Sequence, residues 1–153
     1  MGLEDTNWEK TFNTLIDSAV WNRKSAYAPY SKYLVGACVL ARNPARNPNE
    51  DAVDYFDGCN IENASYGLTV CAERSAIFHA VTNGYKEILA VVCATEDGKG
   101  HSCGACLQVM AEFGDNDMII KSVDQKGNII STCTLGDLLP LAFRLREKEK
   151  ENE

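Results

Sequence analysis

The run ILAVVCA at residues 88–94 constrains the fold more than any other stretch of the chain. It has no polar residue to turn toward solvent, and it is far shorter than the roughly 20 residues that a membrane-spanning helix needs. Such a run suits a central strand, buried on both faces of a sheet. The rest of the chain must then supply apolar cover for two faces. Residues 7–24 place Trp8, Phe12, Leu15, Ile16, Ala19 and Val20 at helical spacing. The segments CAERSAIFHAVTNG (71–84) and CGACLQVMAEFG (103–114) read as two further helices, closed by Asn83-Gly84 and by Gly114.

Other short apolar segments complete the sheet. YLVGACVLA (33–41) reads as a buried strand and DYFDGCNIEN (54–63) as its hairpin return, across the polar loop RNPARNPNED with its two Asn-Pro pairs. MIIKSV (118–123) and NIISTC (128–133) form two more strands about Lys126-Gly127. A helical turn near LGDLLPLAF precedes the charged tail LREKEKENE, residues 145–153. This order of elements predicts an α/β layered sheet with helices on its faces, in one domain spanning residues 1–153.

Charge narrows the choice of partner. Acidic residues outnumber basic ones by 22 to 15, a formal charge of -7, which argues against a surface that tracks nucleic-acid phosphates. A small or neutral substrate is expected instead. No apolar run reaches transmembrane length, and MGLEDTNWEK lacks the features of a secretory signal, so the expectation is a cytoplasmic protein with no membrane partner. In a reducing compartment, the seven cysteines (38, 59, 71, 93, 103, 106 and 133) read as buried thiols and metal ligands rather than a disulfide framework.

Chemistry concentrates where two of the helices begin. Cys103 and Cys106 form C-x-x-C, with both thiols on one face of a first helical turn. That alone is half a site, and two buried cysteines explain it as well as a metal does. Cys71 opens another helix and offers a third thiol, while His79 and His101 compete for a fourth position. Three ligands with one open position describe a catalytic zinc site rather than a structural one. Glu73 adds a carboxylate two residues from a ligand, able to carry protons for a zinc-activated water. Positions i and i+2 point about 200° apart in a regular helix, so Cys71 is expected at the cap or first turn. A solvated first-turn glutamate, favoured by the helix dipole, is the competing reading.

Sugar recognition has its own signal. In CNIEN, strand alternation puts Asn60 and Glu62 on one face, an amide and a carboxylate that suit sugar hydroxyls. A polar edge-strand face accounts for the same alternation.

From SAYAPYSKYLVGA through GCNIENASYGLTVCAERSAI and SCGACLQVMAEFG to LLPLAF, about residues 25–143, the chain resembles the small, homotetrameric cytidine deaminases. The resemblance implies a three-layer α-β-α sandwich with a mixed five-stranded sheet and one Zn2+ per chain on Cys71, Cys103 and Cys106. It also implies that Glu73 is the non-ligand catalytic carboxylate, moving protons as a zinc-activated water attacks C4 of cytosine and ammonia leaves. By the same resemblance the Ala72 carbonyl is expected to accept from the amino group, Asn60 and Glu62 to hold the sugar 3'-hydroxyl, and Tyr33 stands where an aromatic residue, usually Phe, stacks on the pyrimidine. Ala64, Tyr66 and Phe143 match positions through which neighbouring subunits complete each other's sites. Arg74 matches an arginine that hydrogen-bonds ligand sulfurs in three-cysteine members.

Two positions depart from the family pattern. Ser102 replaces a usual Pro and, as a capping residue, is expected to keep the helix start. Leu107 replaces a common Arg after C-x-x-C, so a positive charge near the zinc is missing. The expected activity is hydrolysis of cytidine and deoxycytidine to the uridine products. Two alternatives stand beside it: a deaminase of a related cytosine nucleoside such as blasticidin S, and a zinc-stabilised scaffold, which would have no need of Glu73.

Overall fold

A computed structural model describes residues 5–43, 45 and 53–145 of the chain. The elements run α1 (Asp5–Asn22), β1 (Gly36–Arg42), β2 (Val53–Cys59), α2 (Ala72–Thr82), β3 (Glu87–Ala94), α3 (Gly104–Phe113), β4 (Ile119–Val123), β5 (Ile129–Thr134) and α4 (Leu135–Leu138). One mixed sheet contains all five strands in the order β2-β1-β3-β4-β5. Its β3–β4 pair is parallel, and the other neighbours are antiparallel. The apolar run ILAVVCA lies in the central strand, β3, as its composition requires.

Helices cover both faces of that sheet. Phe12, Leu15, Ile16 and Ala19 of α1 pack on Cys38, Leu40, Ala90 and Val92. Ala76 and Ile77 of α2, with Leu107 and Met110 of α3, pack on Ala37, Val39 and Val91 from the other side. Leu15 and Ile77 are fully buried, one in each layer. Burying such a side chain stabilises by about 1.5–3 kcal/mol relative to leaving it exposed. The expected α/β three-layer arrangement is therefore the observed one.

Two boundaries differ from expectation. The first strand begins at Gly36 rather than Tyr33. Gly36 lies so close under the end of α1 that a Cβ there would overlap the Ala19 carbonyl oxygen, and the preceding residues bend away into a loop. The return strand ends at Cys59, so Asn60 and Glu62 lie beyond the sheet. Between them, Ile61 makes isolated bridges to Tyr27 and Val70, which keep the segment extended.

Gly58 fixes α2 on the sheet. A Cβ at this position would overlap the Ala76 backbone nitrogen and lie 2.5 Å from the Ala72 carbonyl oxygen. Strand β2 and the first turns of α2 therefore touch backbone to backbone, an approach that only glycine allows. At its other end, α2 stops at Asn83-Gly84, where Gly84 adopts φ 89°. Most of the polar 42–54 segment, and the charged tail from residue 146, lie outside the described residues. No described helix is long and apolar enough to cross a membrane.

Candidate metal centre and active site

The sheet register brings two helix N-termini together. Cys59 at the end of β2 and Ala94 at the end of β3 both lie opposite Gly36 of β1. The chain therefore leaves both strands at the same end of the sheet, and from there it enters α2 and α3. Cys71 is the N-cap of α2 and Cys103 the N-cap of α3, each with extended backbone, ψ 156° and 163°. Cys71 thus occupies the cap, as its relation to Glu73 predicts. Cys103 is also the cap, which corrects the expectation that Ser102 would cap this helix: Ser102 lies one residue earlier and its Oγ makes no hydrogen bond.

The three thiols converge although 32 residues separate the first two. Cys71 Sγ and Cys103 Sγ are 3.8 Å apart, and Cys103 Sγ and Cys106 Sγ are 3.6 Å apart. All three sulfurs lie within 4.8 Å of one another. Tetrahedral zinc with Zn–S bonds of 2.3 Å places its sulfurs about 3.8 Å apart. The donor set and its spacing therefore fit one zinc ion, with a fourth position left open. Neither histidine joins the group. His79 packs edge-on against Phe56 at 5.3 Å, and its Nδ1 lies 3.2 Å from the Asp57 carbonyl oxygen.

Electrostatics favour a thiolate at Cys71. The Cys71 thiol is pulled down to about 5 by its hydrogen bond with Cys106, then by the Arg74 guanidinium and Cys103. Cys106, holding the shared proton and fully buried, moves in the opposite direction. Arg74 Nη2 lies 3.5 Å from Cys71 Sγ and 3.4 Å from the Thr69 carbonyl oxygen. These contacts place the guanidinium where it can balance negative sulfur. Leu107 packs in the core beneath α3 and brings no second cation.

A cavity of about 260 Å³ opens beside the thiols. Tyr33, Asn60, Glu62, Tyr66, Cys71, Ala72, Glu73 and Cys103 line it. Its size suits a small molecule rather than a polymer groove. Glu73 sits in the first turn of α2 and is 4% exposed, which excludes the reading of a solvated helix-end glutamate. Burial pushes its carboxyl above the usual range, opposed by its own backbone N–H and by the nearby Ser102 hydroxyl.

Asn60 and Glu62 are buried, unlike residues of a polar edge strand. Asn60 accepts from the Val35 N–H at 2.9 Å and donates to the Tyr33 carbonyl at 2.8 Å, so it holds the loop that presents Tyr33. Glu62 accepts from the Tyr30 N–H at 2.9 Å, the Ser31 N–H at 3.3 Å, the Ser31 hydroxyl and the Tyr66 hydroxyl at 3.4 Å. Burial works against its charge, but these donors outweigh it and hold the carboxyl below the usual range. The Tyr33 hydroxyl lies against Gly100, where a Cβ would come within 3.0 Å of it.

Ala64 and Phe143 stand apart. Neither lines the cavity of its own chain, and Phe143 is 68% exposed, its carbonyl accepting from Gln108 Nε2 at 2.8 Å. Ser31, Val35, Thr69, Cys93, Thr95 and Gly100 also line the cavity, and sequence reasoning missed all six; His101, which the sequence offered as a possible ligand, lines it too. Cys93 carried no signal, because a thiol within an apolar strand reads as core. Ser31 had one: it lies two residues before Tyr33, in the segment that carries the family resemblance.

Comparisons with known proteins agree with this geometry. Residues 9–122 match the family described as "Cytidine and deoxycytidylate deaminase zinc-binding region". A cytidine deaminase from Sporosarcina psychrophila is 48% identical over 79% of this chain and 82% of its own length. One from Mycobacterium tuberculosis is 35% identical over 97% of this chain and 98% of its own. The crystal structure of cytidine deaminase from Burkholderia pseudomallei superposes with a TM-score of 0.72 at 39% identity, over 86% of this chain and 98% of that one. With three converging thiols that fit zinc beside a buried carboxyl, the chain belongs to the cytidine and deoxycytidylate deaminase family, with Zn2+ as its metal.

Proposed function

We propose that this site deaminates cytidine and deoxycytidine by hydrolysis, with Cys71, Cys103 and Cys106 holding one zinc ion and Glu73 carrying the protons. One observation carries the reading: Cys71, Cys103 and the buried Glu73 line a single small cavity, with the Cys106 sulfur grouped beside them. A zinc-stabilised scaffold has no use for that carboxyl. Bound zinc supplies Lewis acidity that activates a water molecule for attack.

The protein's own groups do the rest. Glu73 takes the proton that water loses as its oxygen bonds to C4 of the cytosine ring, and delivers that proton to N3. It then moves the remaining hydroxyl proton to N4, the C4–N4 bond breaks, and ammonia leaves with uridine as the product. The Ala72 carbonyl, at the cavity wall, accepts from the amino group. Tyr33 lies over the base, fixed by the grip of Asn60 on its loop. Glu62 meets the sugar hydroxyl; its long 3.4 Å contact with the Tyr66 hydroxyl is the one that a ligand hydroxyl replaces most readily. Arg74 balances the charge of three thiolates, a task that Leu107 cannot share. This machinery falls within residues 25–143 of one domain, leaving the tail 145–153 outside it. The acidic balance fits a free nucleoside in the cytoplasm better than a nucleic acid.

Incubation with cytidine should give uridine and ammonia in equal amounts, with one zinc per chain by metal analysis. Zinc-loaded protein that leaves cytidine and deoxycytidine untouched would overturn the reading. Turnover of blasticidin S alone would move the substrate to the related nucleoside.

Shared sites in a homotetramer complete the proposal. Phe143 is exposed and lies away from its own cavity, which suits a residue that reaches a neighbour's site. Mixing inactive Glu73→Gln chains with inactive Phe143→Ala chains should then restore part of the activity, because some sites combine intact halves. Verified mixed oligomers that stay inactive would instead mean that each chain holds a complete site.

A further inference from the structure

Arg144 ties the segment that carries Phe143 to α3, the helix that opens on Cys103 and Cys106, yet none of the roles above uses it. Its Nη1 donates to the Ala111 carbonyl, and its Nη2 to the Gly114 carbonyl at 3.1 Å and to Asn116 Oδ1 at 3.5 Å. The last carbonyls of a helix have no partner within it, and its C-terminus favours a cation. Helix α3 has no basic residue in its own last turn, which holds Glu112 instead. Arg144, 33 residues after Ala111, brings that cation from another part of the chain. A planar guanidinium serves two carbonyls at once, which a compact ammonium does less well.

A second tie lies one residue away. Gln108 Nε2, in the middle of α3, donates to the Phe143 carbonyl at 2.8 Å, and Ala142 packs against the core layer that contains α2 and α3. Neighbouring residues therefore differ: Ala142 and Arg144 engage their own chain, whereas Leu141, Phe143 and Leu145 are exposed. With the residues on either side bound inward and its carbonyl held, the Phe143 ring is left outside at a place fixed by α3. Ordering such a segment costs conformational entropy, and a ring that meets a ligand binds it better when that cost is met beforehand. We propose that Arg144 is a positioning residue for Phe143: by capping α3 it holds the ring where it completes the nucleoside site of a second copy of this chain. The inference rests on the shared-site reading proposed above. The helix that holds one site's metal ligands then also holds the ring that serves the next site.

The test uses the full zinc-loaded chain as wild type, Arg144→Ala and Arg144→Lys. An unheld segment is in place only part of the time, and apparent affinity falls by that fraction, so Arg144→Ala should raise KM for cytidine about tenfold. Its kcat should stay within about twofold of wild type, because the proton transfers are untouched, and its zinc content should not change. Arg144→Lys keeps the charge without the fork and should raise KM about threefold. 4-Fluorophenylalanine placed at Phe143 gives a single fluorine signal that needs no turnover. Its line should narrow in Arg144→Ala as the ring gains motion.

The defect should lie in the neighbour's site. When Arg144→Ala chains are mixed with a large excess of Glu73→Gln chains, every working glutamate belongs to an Arg144→Ala chain, while the segments that reach it come from Glu73→Gln chains. KM should then return to the wild-type value. A cap that merely stabilised its own chain would leave KM raised. Phe143→Ala chains in the same excess are the control for the shared site. Recovery in that control with KM still raised in the Arg144→Ala mixture overturns the proposal alone, as does an unchanged KM or fluorine line in Arg144→Ala. No recovery in the control overturns the shared-site reading and the proposal with it. Should Arg144→Ala fail to assemble, Arg144→Lys decides by the same readouts. A wild type without cytidine turnover would overturn the deamination reading, and the fluorine line would still report whether Arg144 holds Phe143.

Discussion

Glu73→Gln is expected to lower kcat for cytidine by about 10⁴-fold, the upper range for removing a general acid-base group, while the protein keeps its fold and one zinc per chain. The amide fills the volume of the carboxyl at a residue that is only 4% exposed, so packing changes little. It cannot shuttle a proton between water and a ring nitrogen. The three sulfurs form a ligand group without Glu73, so metal content should not depend on it. Metal analysis beside steady-state kinetics checks both halves. A variant that loses zinc would make Glu73 a ligand and remove it from the proton-carrying role.

Cys103→Ala tests the metal centre. Cys103 lies between the other two ligands, 3.8 Å from Cys71 Sγ and 3.6 Å from Cys106 Sγ, at the start of a helix that otherwise shares only a small contact with α2. Zinc joins these two helix ends, so its binding free energy also stabilises the fold. Removing one of three protein ligands should bring zinc below one tenth of an equivalent per chain and abolish turnover. The melting temperature should fall by about 6–12 °C, if the metal contributes roughly 3 kcal/mol in a chain of this size. A chelator supplies the internal control: it should lower the wild-type melting temperature by a similar amount and leave Cys103→Ala unmoved. A Cys103→Ala protein that keeps a full equivalent of zinc would exclude Cys103 as a ligand.

Both tests address residues visible in the sequence, and the reason is local geometry. A cap, a first turn and a C-x-x-C spacing are set by the backbone within a few residues, so Cys71 and Cys103 could be placed at helix starts before any fold was known. The central strand was equally legible, because continuous apolar character needs no partner to be recognised. Strand limits were less so. Tyr33 to Val35 have the composition of a strand, but Gly36 meets the end of α1 and Asn60 holds the loop from outside the sheet. Ser102 shows the same limit at one residue. Its type suggested a helix cap, whereas the structure makes Cys103 the cap and leaves the serine hydroxyl buried without a partner.

The sequence by itself determined the parts: a doubly covered central strand, two helices opening on thiols, a glutamate two residues past one of them, and an amide and carboxylate that alternate to one side. Each follows from backbone periods of 3.6 or 2 acting over short distances. Only the tertiary structure decided how those parts meet. Because Cys59 and Ala94 both pair with Gly36, β2 and β3 end together, and α2 and α3 begin at the same end of the sheet. Residues 32 positions apart thereby come within 3.8 Å. The same fold puts Cys93 and Glu73 in one cavity wall, and turns Asn60 and Glu62 into the grip on a binding loop. Such meetings depend on strand order and on backbone contact at Gly58 and Gly36, which are long-range facts that no local period encodes.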